Sequence, residues 1–188
     1  MFSEGEGQWA LDYIRTNWGT QMKKVDFNGA WYEMWESPRG MTKSHAWCSG
    51  PTALLPEIVL GVEPLMPGWK QFKIQPCLYD LKWAEGVVPS VAGNIRVKLK
   101  KLTIDNVETG MQINAVVPEN TTSKIYVPVM PSKDFTISVN NKKIWEGGKF
   151  IGANNKISYD SKSDEFIVFE FQAGNYVIDA FNTEQNEK

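Results

Sequence analysis

The residues best suited to chemistry lie in the N-terminal third of the chain. Five of the eight tryptophans fall among the first 47 residues, and so does the only histidine, His45. Glu33 lies inside the aromatic run Trp31–Glu36. Because aromatic rings stack on the apolar face of a sugar and carboxylates move protons, this clustering predicts a sugar-processing cleft.

Glu33 is the candidate for proton transfer, since a carboxylate surrounded by apolar rings is harder to ionise than one in water. The alternative is a surface glutamate paired with a lysine. Its neighbour Glu36 is expected either to have a structural role or to support the residues that contact the substrate. His45 is either a hydrogen-bonding partner for a sugar hydroxyl or a structural residue near a helix start. Three tryptophans either line the sugar site or belong to the core: Trp31, Trp35 and Trp47.

Other classes of site have no support in the residue pattern. One histidine and two distant cysteines, Cys48 and Cys77, offer no metal-ligand spacing, so we expect no metal ion and no cofactor. The two thiols either form one bridge or remain free. The sequence contains no nucleophile elbow and no phosphate-binding glycine loop.

Charge and hydropathy bear on the partners. A formal net charge of -2 argues against nucleic acid, and the longest apolar run, near residues 54–62, is too short to span a bilayer. We therefore expect neither nucleic acid nor a membrane among the partners. The first residues lack the charged and apolar regions of a signal peptide, so no leader is expected in this chain.

Helical periodicity is confined to the first third of the chain. Apolar residues recur at helical spacing from Trp9 to Met22, and Ser3 with Glu6 predicts a capping box before them. A loop is expected over residues 30–43.

A second helix is predicted over residues 44–60. Pro51 should kink or break its first part, because proline lacks the amide donor, and Gly61 should cap its end. A stretch rich in proline and glycine then divides residues 1–66 from residues 67–188.

Beyond this division the period of the apolar residues changes to two, which is typical of half-buried strands. Turn residues separate the candidate strands, among them Pro118–Asn120 and Ala173–Gly174. Short strands at this spacing predict an antiparallel β-sandwich, so the expected fold is mainly β with an α-helical N-terminal segment. Three tryptophans of the sandwich are candidates for holding carbohydrate by themselves: Trp69, Trp83 and Trp145.

A series of motifs in a fixed order adds to this pattern. The N-terminal motifs are Trp31–Ser37, Ser44–Trp47, Ser49–Pro51, Leu60–Pro64 and Pro67–Gly68. The downstream motifs are Phe72–Pro76, Gly93–Ile95, Val117–Thr122 and Ala173–Tyr176. Taken together, they resemble the C-terminal part of bacterial α-L-rhamnosidases, which belong to glycoside hydrolase family 78. The likeness extends over essentially the whole chain.

The resemblance implies an enzyme with an (α/α)6 barrel and flanking β-domains that removes terminal α-L-rhamnose with inversion of configuration. Residues 1–66 then correspond to the last barrel helices and residues 67–188 to the terminal β-sandwich. Glu33 matches the family's catalytic base in a Trp-Glu-x-Trp motif, with Tyr32 in place of the first tryptophan. His45 matches a histidine that contacts the sugar.

Trp31 and Trp35 are the expected substrate-binding aromatic residues beside this base. The family's general acid lies on earlier barrel helices, so the 188-residue chain alone is expected to be inactive. The implied partner is a rhamnose-containing carbohydrate bound by the full-length enzyme, and the family suggests a periplasmic or extracellular location. A stand-alone carbohydrate-binding module and a structural sandwich remain alternative interpretations. An exposed helical face would favour self-association.

Overall fold

The computed structural model describes residues 6–35, 42–105, 107–130, 135–152 and 155–182. The chain divides into two compact units, Met1–Leu55 and Pro56–Lys188. The domain division after residue 66 stays a prediction, whereas the compact units meet between Leu55 and Pro56. Within the described residues, no helix combines the length and the apolar character needed to cross a membrane.

The first unit contains helix α1 (Gly7–Met22), as the apolar periodicity predicts. The predicted capping box, with Ser3 as the N-cap and Glu6 in the first turn, does not match the observed start of the helix. Glu6 occupies the N-cap position instead of the first turn, and its side chain makes no capping hydrogen bond. The helix therefore begins later than a cap at Ser3 would require. Ser3 itself lies outside the described residues.

The second helix is shorter than predicted. A 3-10 turn over Ala46–Ser49 leads into α2 (Gly50–Ile58). The helix predicted over residues 44–60 is interrupted near Pro51, where the 3-10 turn ends and α2 begins, and the proline lies in the first turn of α2, where its missing amide has no partner to lose. Pro56 lies near the other end of α2, two residues before it stops.

Gly61 does not cap α2, since it follows the last helical residue by a short turn. It adopts a φ of +71°, and its carbonyl accepts a hydrogen bond of 3.0 Å from the Gln75 amide. A Cβ atom at this position would lie 1.9 Å from the Gln75 carbonyl oxygen. The glycine is therefore needed for a close approach of two backbone segments.

The second unit is a β-structure. Its described strands are β1 (Val62–Pro64), β2 (Gln71–Ile74), β3 (Trp83–Ser90), β4 (Gly93–Ile104), β5 (Val107–Pro128), β6 (Phe135–Val139), β7 (Lys142–Glu146), β8 (Lys149–Phe150), β9 (Ile157–Lys162) and β10 (Phe166–Asn182). The pairings between these strands are antiparallel except that β2 runs parallel to β5.

Two long strands, β5 and β10, pair along nearly their whole length and join two half-sheets. The first half-sheet contains β3 and β4 on one side and β6, β7 and β8 on the other. The second contains β1 and β2 on one side and β9 on the other. The junction is a register shift between Gln172 and Gly174, opposite the stretch from Val117 to Thr122.

The turns predicted at Pro118–Asn120 and Ala173–Gly174 are wrong, because both stretches lie inside continuous strands. Asn120 has a φ of +61° and Gly174 a φ of +156°. These residues bend the two paired strands at the same place without ending them, as in a β-bulge.

Aromatic contacts connect the two half-sheets. Trp145 of β7 and Phe150 of β8 lie 6.3 and 5.8 Å from the Phe169 ring of β10. The wholly buried side chains of this core are Phe72, Ile74, Ile95, Leu99, Ile113, Ile125, Ile137, Ile167, Phe169, Phe171 and Ile178. The predicted fold, mainly β with an α-helical N-terminal segment, is confirmed.

Candidate functional site

The candidate residues lie on two short segments of the first unit that are hydrogen-bonded to each other. The His45 amide donates to the Trp31 carbonyl at 2.9 Å, and the Glu33 amide donates to the Thr42 carbonyl at 3.1 Å. Glu33 and His45 are therefore placed on paired stretches of backbone. Glu36 lies outside the described residues.

Glu33 is half-buried. Its Oε2 atom accepts a hydrogen bond of 3.4 Å from the Thr42 amide, and its carbonyl accepts one of 3.3 Å from the Cys48 thiol. Among the described residues Glu33 belongs to no ion pair. The alternative interpretation, a surface glutamate paired with a lysine, is therefore not seen in this part of the chain. A carboxylate held in this way and still reached by solvent can accept a proton from water.

Tyr32, next to Glu33, anchors this segment. It is wholly buried, its amide donates to Gln21 Oε1 at 3.1 Å, and its hydroxyl donates to the Asp26 carbonyl at 2.6 Å. Lys43 pairs with the Asp26 carboxylate, and the ammonium groups of Lys24 and Lys43 lie 5.5 and 5.7 Å from the centre of the Tyr32 ring. Backbone bonds and cation–π contacts thus fix the residue before Glu33.

The titration behaviour of this anchor follows from its contacts. The hydrogen bond from Lys43 lowers the pKa of Asp26, and the same bond raises the pKa of Lys43. Burial raises the pKa of Tyr32, so its hydroxyl remains protonated and donates to Asp26 near neutral pH.

Gln21 is a residue that sequence reasoning missed. It lies on α1 and is wholly buried, and its Nε2 atom also donates to the Met34 carbonyl at 3.4 Å. One amide side chain therefore holds the backbone on both sides of Glu33. The available signal was a polar residue beside the apolar helix positions Trp18 and Met22.

The two predicted aromatic ligands have partners inside the protein. The Trp31 indole donates to Thr52 Oγ1 at 2.9 Å and contacts Phe27 at 5.8 Å. Trp35 meets Trp18 edge to face at 4.7 Å, yet 42% of it remains exposed. Of this pair, Trp35 offers the larger free surface for a sugar ring.

His45 is half-buried and occupies the N-cap position of the 3-10 turn, near a helix start as expected. Its ring lies 6.0 Å from that of Trp47 in an edge-to-face contact. Trp47 is 93% exposed, which makes it the freest of the tryptophans considered for the site.

The cysteines are unpaired. Cys48 is half-buried and Cys77 is exposed, and both are free thiols. The sequence allowed either one disulfide bridge or two free thiols, and the structure has two free thiols. No group of three or more histidine, cysteine, aspartate or glutamate side chains in the described ranges is arranged to hold a metal ion.

Comparison with known proteins bears on the second unit. Residues 61–141 match the family model described as bacterial alpha-L-rhamnosidase C-terminal domain. The resemblance to the C-terminal part of bacterial α-L-rhamnosidases is confirmed. The matched residues do not include Glu33 or His45, so the roles assigned to these two residues stay predictions. No curated protein matches the chain.

Solved α-L-rhamnosidases share the fold. One from Dictyoglumus thermophilum aligns with a TM-score of 0.62 and 21% identity, over 80% of this chain and 16% of that one. One from Streptomyces avermitilis, complexed with L-rhamnose, aligns with a TM-score of 0.57 and 16% identity, over 79% of this chain and 13% of that one. This chain thus spans a small part of the rhamnosidases it resembles.

Proposed function

We propose that this chain is the C-terminal part of an inverting α-L-rhamnosidase-like hydrolase that removes terminal α-L-rhamnose from glycans or glycosides. The match of residues 61–141 to the rhamnosidase C-terminal domain carries the proposal. The fold shared with two α-L-rhamnosidases supports it.

In this proposal Glu33 is the general base. It takes a proton from water, the water oxygen attacks the anomeric carbon, and the bond from that carbon to the leaving oxygen breaks. A carboxylic acid elsewhere in the complete enzyme protonates the leaving oxygen, so the charges balance. The half-exposed position of the Glu33 carboxylate, held by the Thr42 amide, suits this role.

The neighbouring residues bind the sugar. Trp35 stacks its exposed surface on the apolar face of rhamnose, and Trp31 lines the site beside it. His45 hydrogen-bonds a hydroxyl group of the sugar. Since backbone bonds place both Glu33 and His45, their side chains remain available for the substrate.

The test joins this chain, in place of the corresponding C-terminal segment, to the barrel of the Dictyoglumus thermophilum α-L-rhamnosidase. We expect the chimera to hydrolyse an aryl α-L-rhamnoside and to release β-L-rhamnose first, as proton NMR would detect. Glu33→Gln should lower kcat by about 10²- to 10⁴-fold. The matched control, Glu119→Gln, changes an exposed glutamate of β5 and should leave kcat unchanged.

The 188-residue chain by itself is expected to release no nitrophenol from the same substrate. A chimera that folds and turns over equally well with Glu33→Gln would contradict the role of Glu33. Initial release of α-L-rhamnose would contradict the inverting mechanism.

A further inference from the structure

The outward face of the first half-sheet carries charged and polar side chains together with exposed valines such as Val87 and Val177. Leu99, Ile113 and Ile178 are wholly buried and point to the core. Because successive side chains of a strand alternate between faces, their chain neighbours point outward. On this face Trp83 is paired with Lys100, Lys100 with Gln112, and Gln112 with Asp179 in the register of the strands.

Trp83 is a large aromatic residue whose indole is exposed on this surface. It begins β3, which pairs with β4 in the described sheet, and it is 59% exposed. The two other tryptophans considered for carbohydrate are less available: Trp145 is 3% exposed in the core, and Trp69 is half-buried with its ring 6.2 Å from Phe72. Only Trp83 among these three therefore presents most of an indole to solvent.

Two adjacent depressions on this face share part of their lining and are together called the groove. The first has a volume of about 710 Å³ and is lined by Lys82, Trp83 and Lys100 among others. The second has a volume of about 640 Å³ and is lined by Arg96 and by residues of β5 and β10. Glu85 and Lys98 line both depressions. Each volume is within the range of ligand-binding clefts.

The groove has cations without acidic partners. Lys98 is paired with Glu85 at 3.0 Å, and Lys101 is paired with Glu108 at 3.1 Å. Lys82, Arg96 and Lys100 take part in no ion pair among the described residues. The surface thus offers positive charge to a ligand.

Amide side chains lie on the same face of the sheet as these cations, and one of them, Asn114, lines the second depression. Gln112 Nε2 donates to Asp179 Oδ1 at 2.7 Å, and Asn114 Nδ2 donates to Gln112 Oε1 at 3.4 Å. The three side chains are half-buried, so their orientations are set by this chain of hydrogen bonds. Oriented amides can hydrogen-bond hydroxyl groups of a sugar.

We propose that this groove binds an acidic saccharide. One sugar ring stacks on the exposed indole of Trp83, and uronate carboxylates pair with Lys100 and Arg96. We favour a saccharide over a nucleic acid because the oriented amides of Gln112 and Asn114 suit the hydroxyl groups of a sugar. The site lies on the second unit and does not depend on the role proposed for Glu33.

The test titrates the 188-residue chain with a short oligogalacturonate. Binding is followed by tryptophan fluorescence and by isothermal titration calorimetry. We expect saturable binding that weakens about tenfold or more with Trp83→Ala and with Lys100→Gln. The same oligosaccharide with methyl-esterified carboxyls should bind about tenfold more weakly, because it lacks the negative charges.

Matched controls change exposed residues away from the groove. Trp9→Ala removes a half-exposed indole of α1, and Lys149→Gln removes a lysine on β8, at the opposite edge of the half-sheet from β3. Neither should alter the affinity. Arg96→Gln provides a second charge variant if Trp83→Ala fails to fold.

Three results would overturn the proposal: absence of saturable binding, equal binding of the esterified oligosaccharide, or an affinity that Trp83→Ala and Lys100→Gln leave unchanged. Equal competition by dextran sulfate would also overturn it, because that result indicates general polyanion binding. None of these readouts involves rhamnose hydrolysis, so the failure of this proposal is distinct from that of the rhamnosidase proposal.

Discussion

The His45 amide donates a hydrogen bond of 2.9 Å to the carbonyl of Trp31. This bond and the one from Glu33 to Thr42 hold the two candidate catalytic segments through main-chain atoms. The side chains of Glu33 and His45 can therefore be changed without removing these two backbone bonds. Glu33→Gln also keeps a side-chain oxygen that can accept the bond from the Thr42 amide, so this variant should report on chemistry and not on local folding.

The buried amide of Gln21 should be essential for the shape of this region. Gln21→Leu leaves the Tyr32 amide without its partner, which should lower the free energy of unfolding of the first unit by about 1–3 kcal/mol. Hydrogen exchange of the α1 amides measures this change. Thr20→Ala, at an exposed neighbouring position, should alter it by less than about 0.5 kcal/mol. Equal exchange rates in the two variants would show that Gln21 is not an anchor.

Gly61 should tolerate no side chain. Gly61→Ala adds a Cβ atom that overlaps the Gln75 backbone, and it also imposes a positive φ on alanine. The matched control is Gly147→Ala, since Gly147 has a φ of +56° and open space around its Cβ position. The control should lose about 1–2 kcal/mol of unfolding free energy from the φ angle alone.

Gly61→Ala should lose clearly more than this control, because the Gln75 backbone must also move. Urea denaturation of both variants measures the difference in the second unit. Equal losses would mean that the close approach at Gln75 is unimportant to stability.

The ion pair between Lys124 of β5 and Asp160 of β9 should make stability depend on pH at both extremes. Its hydrogen bond from Lys124 lowers the pKa of Asp160 from 3.8, and the same bond raises the pKa of Lys124 from 10.5. Stabilisation by Asp160 is present above its unfolded pKa and is lost as the pH falls through the lowered value. Stabilisation by Lys124 is present below 10.5 and is lost as the pH rises through the raised value.

Asp160→Asn tests this dependence. Because both side chains are partly exposed, the variant should lose only about 0.2–1 kcal/mol near neutral pH. Its difference from the unchanged protein should disappear in strong acid, as urea denaturation across pH would show. Asp164→Asn, in the exposed turn before β10, serves as the control. A difference that persists unchanged in strong acid would exclude the ion pair as its source.

The apolar surface of the first unit should promote self-association. Trp9 and Tyr13 of α1 stack at 5.2 Å, yet they are 48% and 41% exposed. Tyr13 also lines an apolar cavity of about 310 Å³ with Trp18 and Leu54. Exposed aromatic residues grouped in this way are typical of a surface that binds another surface.

Light scattering of the 188-residue chain should therefore give a mass that rises with concentration. Trp9→Ser with Tyr13→Ser should reduce that rise, whereas Val91→Ser, at an exposed turn between β3 and β4, should not. A mass that is constant with concentration would show that this surface does not mediate self-association.

Much of the fold could be predicted from residue types. The alternation around Ile95, Val97 and Leu99 depends on the two-residue repeat of a strand, so a single sequence reveals it. The bends at Asn120 and Gly174 could not be separated from turns in the same way. Whether a strand ends at such residues depends on its partner, and β5 and β10 continue to pair on both sides of their bends.

The candidate site divides similarly. The types and spacing of the residues around Glu33 and His45 singled them out, because aromatic and acidic side chains keep their chemistry wherever the chain folds. Gln21 and Asp26, which hold Tyr32 beside Glu33, lie 11 and 6 residues away from it and belong to no recognisable motif. Likewise, the sequence does not distinguish between Trp83, Trp69 and Trp145. The structure separates them by the burial of their side chains.

The amino-acid sequence by itself determined the helical and β segments, the cluster around Glu33 and the family resemblance, since these follow from local periodicity and residue type. The tertiary structure alone decided which strands continue through their bends, which amide supports the Tyr32 backbone and which tryptophan faces solvent. Those outcomes depend on contacts between residues far apart in the chain, and only the folded pairing of strands and helices defines such contacts.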